Sequence, residues 1–164
     1  MESTETTTSS ESLERSFSIS TALPHDLEQL GEMGYRFAEL YGNNVMKFRA
    51  SVFTRKMKEF MQAGLGIVLC LHEKWELKGA IAGIVYENVF DGEPCATELF
   101  WYVWPGAPKG AGTALLAAFE DWARDHKATR ISMAYMHHNM PERLAGFYER
   151  NGYRIFETHY VKAL

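Results

Sequence analysis

The sequence has little of what would place it outside the cell or in a membrane. It contains only two cysteines, Cys70 and Cys95, too few for a disulfide-stabilised scaffold. No apolar run approaches the roughly 18 residues of a membrane helix, and the start of the sequence lacks the basic and apolar stretches of a secretory signal. We therefore expect a cytoplasmic protein with no membrane partner.

An excess of basic residues is also missing. Seventeen Lys and Arg against 21 Asp and Glu give 164 residues a net charge of −4. Residues 1–15 hold four glutamates against one arginine, so the remainder carries a charge close to zero. Since Lys and Arg drive nucleic-acid binding by neutralising phosphates, no nucleic-acid partner is expected. The length is typical of a single domain.

Residues 1–15 differ from the rest in composition. Eight of the first twelve residues are Ser or Thr, and the only apolar side chains of the segment are Met1 and Leu13. Such a segment cannot bury enough apolar surface to offset the entropy lost on ordering. We expect a disordered Ser/Thr/Glu-rich tail over residues 1–15 and one folded domain over residues 16–164.

The remainder of the chain alternates between strand-like and helix-like patterns. The order predicted is one strand, two helices, three strands, a helix, a strand, a helix and one or two final strands. This order predicts a mixed α/β fold with helices on both faces of a central sheet. The predicted strands cover residues 17–21, 65–71, 77–89, 96–104, 130–136 and 153–161, and the predicted helices cover 24–42, 45–62, 113–126 and 141–150.

A glycine-rich loop joins the fourth predicted strand to the third predicted helix. Gly110 and Gly112 let the backbone approach an anion, Lys109 adds positive charge and Thr113 a hydroxyl. An ordinary strand-to-helix turn is the alternative for an isolated Gly-x-Gly. A Walker loop is excluded because its string is absent, and a dinucleotide fingerprint is excluded because Leu115 stands where a third small residue is needed.

The stretch from Val103 to Leu116 resembles the acyl-CoA-binding signature of the GNAT superfamily of N-acyltransferases. In that family a strand ends in a Val-x-Pro-like step, and Gln/Arg-x-x-Gly-x-Gly/Ala then opens a helix. Val103-Trp-Pro105 and Gly110-Ala-Gly112 match, whereas Ala107 stands where the family prefers Gln or Arg. The second family element, Leu/Phe-Tyr-x-x-x-Gly-Phe/Tyr, is matched by residues 147–153.

This resemblance covers residues 17–164 and implies the GNAT fold. That fold is a mixed, mostly antiparallel central sheet of six to seven strands flanked by about four helices. The Glu-Leu-Phe-Trp-Tyr-Val run at residues 98–103 is also similar to small acetyltransferases encoded by tailed bacteriophages.

The resemblance further implies acetyl-CoA as cosubstrate, with no metal. Trp101, Tyr102 and Trp104 are candidates to line its pocket, with core or surface packing as the alternative. Asn139 resembles an asparagine that contacts CoA, although it could equally cap the helix that starts at Pro141. The implied cofactor-binding residues are Tyr102, Val103, Lys109, Gly110, Ala111, Gly112, Thr113 and Asn139.

Two residues are candidates for the chemistry. Tyr148 falls where the family's tyrosine protonates the departing thiolate, and a buried aromatic is the alternative. Glu98 is the best candidate for the base that deprotonates the amine, against the alternative of an exposed strand glutamate. His137 or His138 could serve instead of Glu98. The Cys70 and His72 pair supplies too few ligands for a metal.

The sequence thus predicts an N-acetyltransferase that moves an acetyl group from acetyl-CoA to a primary amine by direct transfer in a ternary complex. A catalytically inactive GNAT-fold binding or structural protein is the alternative, favoured by Ala107. The acceptor, a small molecule or a protein, is left open, as is a homodimer.

Overall fold

The computed structural model describes residues 17–42, 45–62, 64–137 and 141–164. The predicted tail over residues 1–15 lies outside these ranges, and so do His138 and Asn139. Within the described ranges, no helix combines the length and the apolar character needed to cross a membrane.

One sheet forms the centre of the fold, and its five strands lie side by side in sequence order. The first four strands pair antiparallel, and the fifth lies parallel to the fourth. This confirms the mixed, mostly antiparallel sheet. The strands are β1 (Ser18–Thr21), β2 (Gly66–Glu73), β3 (Glu76–Glu87), β4 (Pro94–Val103) and β5 (Arg130–Ser132).

Helices cover both faces of this sheet, as predicted. The described residues contain α1 (Leu27–Tyr41), α2 (Ala50–Gln62), α3 (Ala111–Asp125) and α4 (Pro141–Arg150). The first two helices pack on one face, over a core of Leu30, Met33, Met57, Val68, Cys70, Ala80, Ala82, Phe100 and Tyr102. The third packs on the other face, over Leu71, Ile81, Val85, Ala96, Leu115, Phe119 and Ala123.

The prediction of six to seven strands is wrong, because the described residues form five. Residues 153–164 form no strand, and Ile155 and Phe156 are 77% and 87% exposed. The cause is the short β5, which ends at Ser132 rather than at the predicted residue 136. A strand needs backbone partners beside it, and a three-residue neighbour offers few, whatever the apolar pattern of the segment.

The short β5 leaves a gap beside β4. Pairing between the two strands ends at Thr97 and Ser132, while β4 continues to Val103. A bulge lies directly beyond this point, since Gly83 of β3 faces Glu98 and the neighbouring Ala82 already faces Phe100. The extra residue adds local twist. The second half of β4 therefore has no described strand on its β5 side.

A buried carboxylate fixes the start of α1. Asp26 is 1% exposed, and its Oδ1 lies 2.8 Å from Nε2 of His72 on β2. Its Oδ2 accepts the backbone N–H of Leu23 at 2.8 Å. Buried charges need such partners, so this carboxylate connects the entry to α1 with the sheet.

We expect Asp26→Ala to lower the free energy of unfolding by about 2 kcal/mol or more, because it leaves His72 and the Leu23 N–H without their acceptor. Asp121→Ala is the matched control, since Asp121 forms an exposed ion pair with Arg124 and should cost less than about 0.5 kcal/mol. Urea denaturation at pH 7 measures both values. Equal losses would show that the Asp26 contacts contribute nothing specific.

Candidate active site

The glycine loop places an uncapped helix start beside the gap. Gly110 precedes α3 with φ +86°, a left-handed conformation that favours glycine, and no side chain caps the helix. The N–H of Ala111 donates to the Pro108 carbonyl, but those of Gly112 and Thr113 meet no acceptor among the described residues. With no acidic residue in its first turn, the start of α3 is a site suited to an anion.

The side chains of the loop divide between solvent and core. Lys109 and Thr113 are exposed, and Ala111 is buried. A Cβ on Gly112 would meet only Trp101, at 3.6 Å. Ala107, which replaces the family's Gln or Arg, packs against the core below α3. The backbone of the loop and Lys109 are thus the groups that can hold phosphate.

The two candidate catalytic residues meet at one residue in the gap, Ala134. Ala134 follows the end of β5, and its carbonyl accepts the hydroxyl of Tyr148 at 2.9 Å. Its backbone N–H lowers the pKa of the carboxyl group of Glu98 on β4. The structure therefore brings together two residues that are 50 positions apart in the sequence.

Their surroundings change the acidity of both groups. Burial raises the pKa of Glu98 to about 7, against a smaller opposing effect of the Ala134 N–H. Burial is also the main cause that raises the pKa of Tyr148, and the negative charge of ionised Glu98 adds to it. Near neutral pH the carboxyl group is therefore divided between its two forms, whereas the phenol keeps its proton. A base and an acid in one cleft need these properties.

The end of β4 presents different groups to its two faces. Tyr102 is buried on the side of α1 and α2, with its ring 5.2 Å from that of Trp104 and 6.4 Å from that of Phe37. Val103 packs on the side of α3. Burial is the main cause that raises the pKa of Tyr102, and the nearby Tyr41 adds to the effect. The predicted contacts of Tyr102 and Val103 with a cofactor consequently depend on their backbone groups.

Trp101 lies between the start of α3 and α4. Its ring is 5.9 Å from Phe147 and 6.3 Å from Tyr148. Its Nε1 is buried and finds no hydrogen-bond partner among the described residues. The sequence identified Trp101 only as a pocket-lining candidate, because no residue pattern reveals an unpaired donor.

The other candidates are exposed, buried, engaged by other groups or outside the described ranges. His137 is exposed and contacts Tyr135 edge-on at 6.3 Å. His72 is engaged by Asp26. Cys70 is buried, and burial raises the pKa of its thiol, so it is a poor nucleophile. Among the described residues, no group of three His, Cys, Asp or Glu side chains could hold a metal.

A separate groove of about 690 Å³ runs along α1, within the usual range of ligand sites. Its wall includes Glu28 and Glu32, for which no described residue provides an ion pair or hydrogen bond. Arg36 could neutralise Glu32 one turn earlier, but it pairs with Glu39 instead. Its lining also includes Leu27, Gly31, Tyr35, Phe48, Ala50, Thr54 and Trp104.

A mixed sheet with helices on both faces, a glycine loop at the start of α3 and a gap beside β4 define an acetyltransferase fold. Residues 37–153 match the family described as the acetyltransferase (GNAT) family, and the chain belongs to this family. The predicted family is thereby confirmed. A comparison with curated protein sequences finds no match.

Solved structures show the same fold. A transcriptional regulator from Bacillus halodurans C-125 is 18% identical, covers 90% of this chain and 99% of its own, and superposes with a TM-score of 0.75. An aminoglycoside acetyltransferase, HMB0005, from an uncultured soil metagenomic sample is 15% identical, with coverages of 90% and 98% and a TM-score of 0.68. A ribosomal-protein-alanine N-acetyltransferase from Brucella melitensis biovar Abortus 2308 is also 15% identical, with coverages of 90% and 99% and a TM-score of 0.68. At these identities the likeness concerns the fold alone.

The raised pKa of Glu98 predicts a pH-dependent stability. Between its ordinary value of 4.5 and about 7, the folded chain keeps a proton that the unfolded chain has lost. The free energy of unfolding should therefore fall as the pH rises through this window, and this contribution should level off above it. Glu98→Gln should remove that part of the decline.

Chemical denaturation of both proteins at pH 5 and pH 8 measures the effect. Glu149→Gln, which alters an exposed carboxylate on α4, controls for general loss of charge and should follow the wild type. Identical pH profiles for the wild type and Glu98→Gln would show that Glu98 titrates normally.

Proposed function

We propose that this protein transfers an acetyl group from acetyl-CoA to a primary amine, directly and within a ternary complex. The observation that carries the proposal is the meeting of Glu98 and Tyr148 at Ala134, where β5 leaves β4. Acyl transfer to an amine needs one group to accept a proton and another to donate one. The gap contains one of each.

Each group has a defined part in the reaction. An alkylammonium ion has a pKa near 10.4 and must lose a proton before it can attack. Glu98, directly or through water, accepts that proton in its ionised form. As the new C–N bond forms and the C–S bond breaks, Tyr148 donates its proton to the departing sulfur. The hydroxyl must then leave the Ala134 carbonyl, its acceptor in this structure.

The chain also has groups suited to hold CoA. The acetyl thioester would supply the electrophilic carbonyl. The free N–H groups of Gly112 and Thr113, together with the Lys109 side chain, suit the phosphates of CoA. Tyr102 and Val103 would contribute backbone groups from β4. Asn139 stays a proposed ligand from outside the described ranges.

The groove along α1 supports an amine as acceptor. Glu28 and Glu32 lie one turn apart on the same helix, where like charges repel. The positive end of the helix dipole stabilises the carboxylate of Glu28 in the first turn of α1. Glu32 lies beyond that turn and lacks this stabilisation. Aromatic rings beside such carboxylates favour a cation, so the groove suits the positive end of an amine.

A GNAT-fold protein without catalysis is the second candidate function, because Ala107 removes a side chain that the family uses toward CoA. The structural likeness to the transcriptional regulator from Bacillus halodurans C-125 is compatible with a role of this kind. The decisive assay incubates the protein with acetyl-CoA and a panel of amines while free thiol is measured. Thiol release that depends on the amine supports the enzyme, whereas CoA binding without release on any amine supports the second candidate.

Gly112→Asp should abolish detectable CoA binding without harming the fold. A carboxylate in the first turn of α3 repels phosphate but suits the positive helix end, and its Cβ meets only an ordinary contact. Gly112→Ala, which adds the Cβ without charge, should keep most of the affinity. Calorimetry with CoA on variants of native circular dichroism measures this, and full affinity in Gly112→Asp would remove the phosphate site from this loop.

Tyr148→Phe should lower kcat by about 10²–10⁴-fold, the usual contribution of one positioned acid, with little change in acetyl-CoA affinity. The effect belongs to the transition state, because the proton moves only as charge develops on sulfur. Tyr153→Phe is the matched control, since it also loses a hydroxyl contact, to Glu120 at 2.8 Å. Each variant should lose about 1 kcal/mol of stability.

Steady-state kinetics and thermal denaturation of the two variants separate acid catalysis from packing. A kcat within a few-fold of the wild type for both variants would exclude Tyr148 as the acid. Equal large losses in both would indicate a shared structural effect on α4.

A further inference from the structure

We propose that the indole N–H of Trp101 is a hydrogen-bond donor to the pantetheine arm of CoA, an inference that rests on the proposed function. It starts from the unpaired Nε1, which is buried from solvent and without a partner among the described residues. A buried donor without an acceptor is unfavourable by about 1–3 kcal/mol. A phenylalanine at this position would avoid that cost, so the donor points to an acceptor that arrives with a ligand.

The place of Trp101 in the fold favours CoA as that ligand. The residue lies on the part of β4 that has no described strand on its β5 side. The six-membered part of its indole faces Gly112 at the start of α3, at 3.6 Å from the position of a Cβ. Its ring also contacts Phe147 and Tyr148 of α4. Trp101 thus lies between the proposed phosphate site and the proposed acid.

Burial decides which part of CoA the indole would meet. Lys109 and Gly110 are exposed, so phosphates held there stay close to solvent. The Nε1 atom is covered, and therefore fits a group that enters the fold. The pantetheine arm carries amide carbonyls, which are good acceptors for an indole N–H.

The same contacts require a rearrangement on binding. Because solvent does not reach Nε1, an acceptor can approach it only if groups around the indole move. The rings of Phe147 and Tyr148 are among those neighbours. Trp101 is therefore a positioning residue: the arm would gain a hydrogen bond, and a shift of the neighbouring Tyr148 ring would free its hydroxyl from the Ala134 carbonyl.

The test compares Trp101→Phe with the wild type on two probes. CoA contains the arm, whereas adenosine 3′,5′-bisphosphate contains phosphates and no arm. Calorimetry should show CoA affinity falling about threefold to tenfold in the variant, the worth of one neutral hydrogen bond, with unchanged affinity for the bisphosphate. Trp75→Phe, which removes an indole that is 93% exposed, should bind both probes as the wild type does.

A second measurement needs no folded variant at position 101. The four tryptophans give separate indole ¹H–¹⁵N signals, and variants at the other three positions identify the signal of Trp101 by elimination. We expect that signal to shift downfield with CoA and to stay in place with the bisphosphate.

The outcomes are distinct. An unchanged CoA affinity, an equal loss on both probes or an unmoved Trp101 signal would overturn the inference. If the wild type itself binds neither probe, the proposed function fails, and the inference fails with it. If the wild type binds CoA and transfers acetyl while Trp101→Phe binds it equally well, the inference alone fails.

Discussion

The site depends on the early separation of β5 from β4. The two strands share only three residue pairs, which end at Thr97 and Ser132. Had they stayed paired, the backbone of Ala134 would have entered the ladder of hydrogen bonds. Because it is free, its carbonyl accepts the hydroxyl of Tyr148 and its N–H acts on Glu98. The same separation leaves Trp101 on the part of β4 that has no described strand on its β5 side. The proposed roles of Glu98, Tyr148 and Trp101 therefore depend on one short strand.

Burial in this gap has opposite consequences for stability and for chemistry. It raises the pKa of Glu98 to about 7, which disfavours the ionised form that a base needs. It also gives that base a proton affinity well matched to work near neutral pH. Tyr148 experiences the same burial together with the charge of Glu98, and it therefore keeps its proton. A fully solvated pair would be more easily ionised but less suited to exchange protons with a substrate.

Local patterns predicted the helices, the meander and the glycine loop, because periodicity and turn residues act within a few positions. They did not predict where β5 ends, since that depends on partners far along the chain. The prediction of final strands over residues 153–161 was wrong for the same reason, since this segment forms no strand and its Ile155 and Phe156 are exposed. The meeting of Glu98 with Tyr148, and that of Asp26 with His72, are likewise long-range. Only the family resemblance indicated a catalytic role for Tyr148, and nothing in the sequence indicated that Asp26 is buried against His72.

The unsatisfied donors of the site link binding to stability. The N–H groups of Gly112 and Thr113 can reach water at an uncapped helix start, so leaving them unpaired has little effect. The indole N–H of Trp101 cannot reach water, and its deficit stays in the folded chain until an acceptor arrives. A ligand that meets all three donors binds the folded state alone and stabilises it by mass action. Part of its intrinsic binding energy would nevertheless be used to move the groups that cover the indole N–H. The proposed arrangement therefore favours a long ligand with acceptors at both ends of the gap over a phosphate compound that reaches only the start of α3.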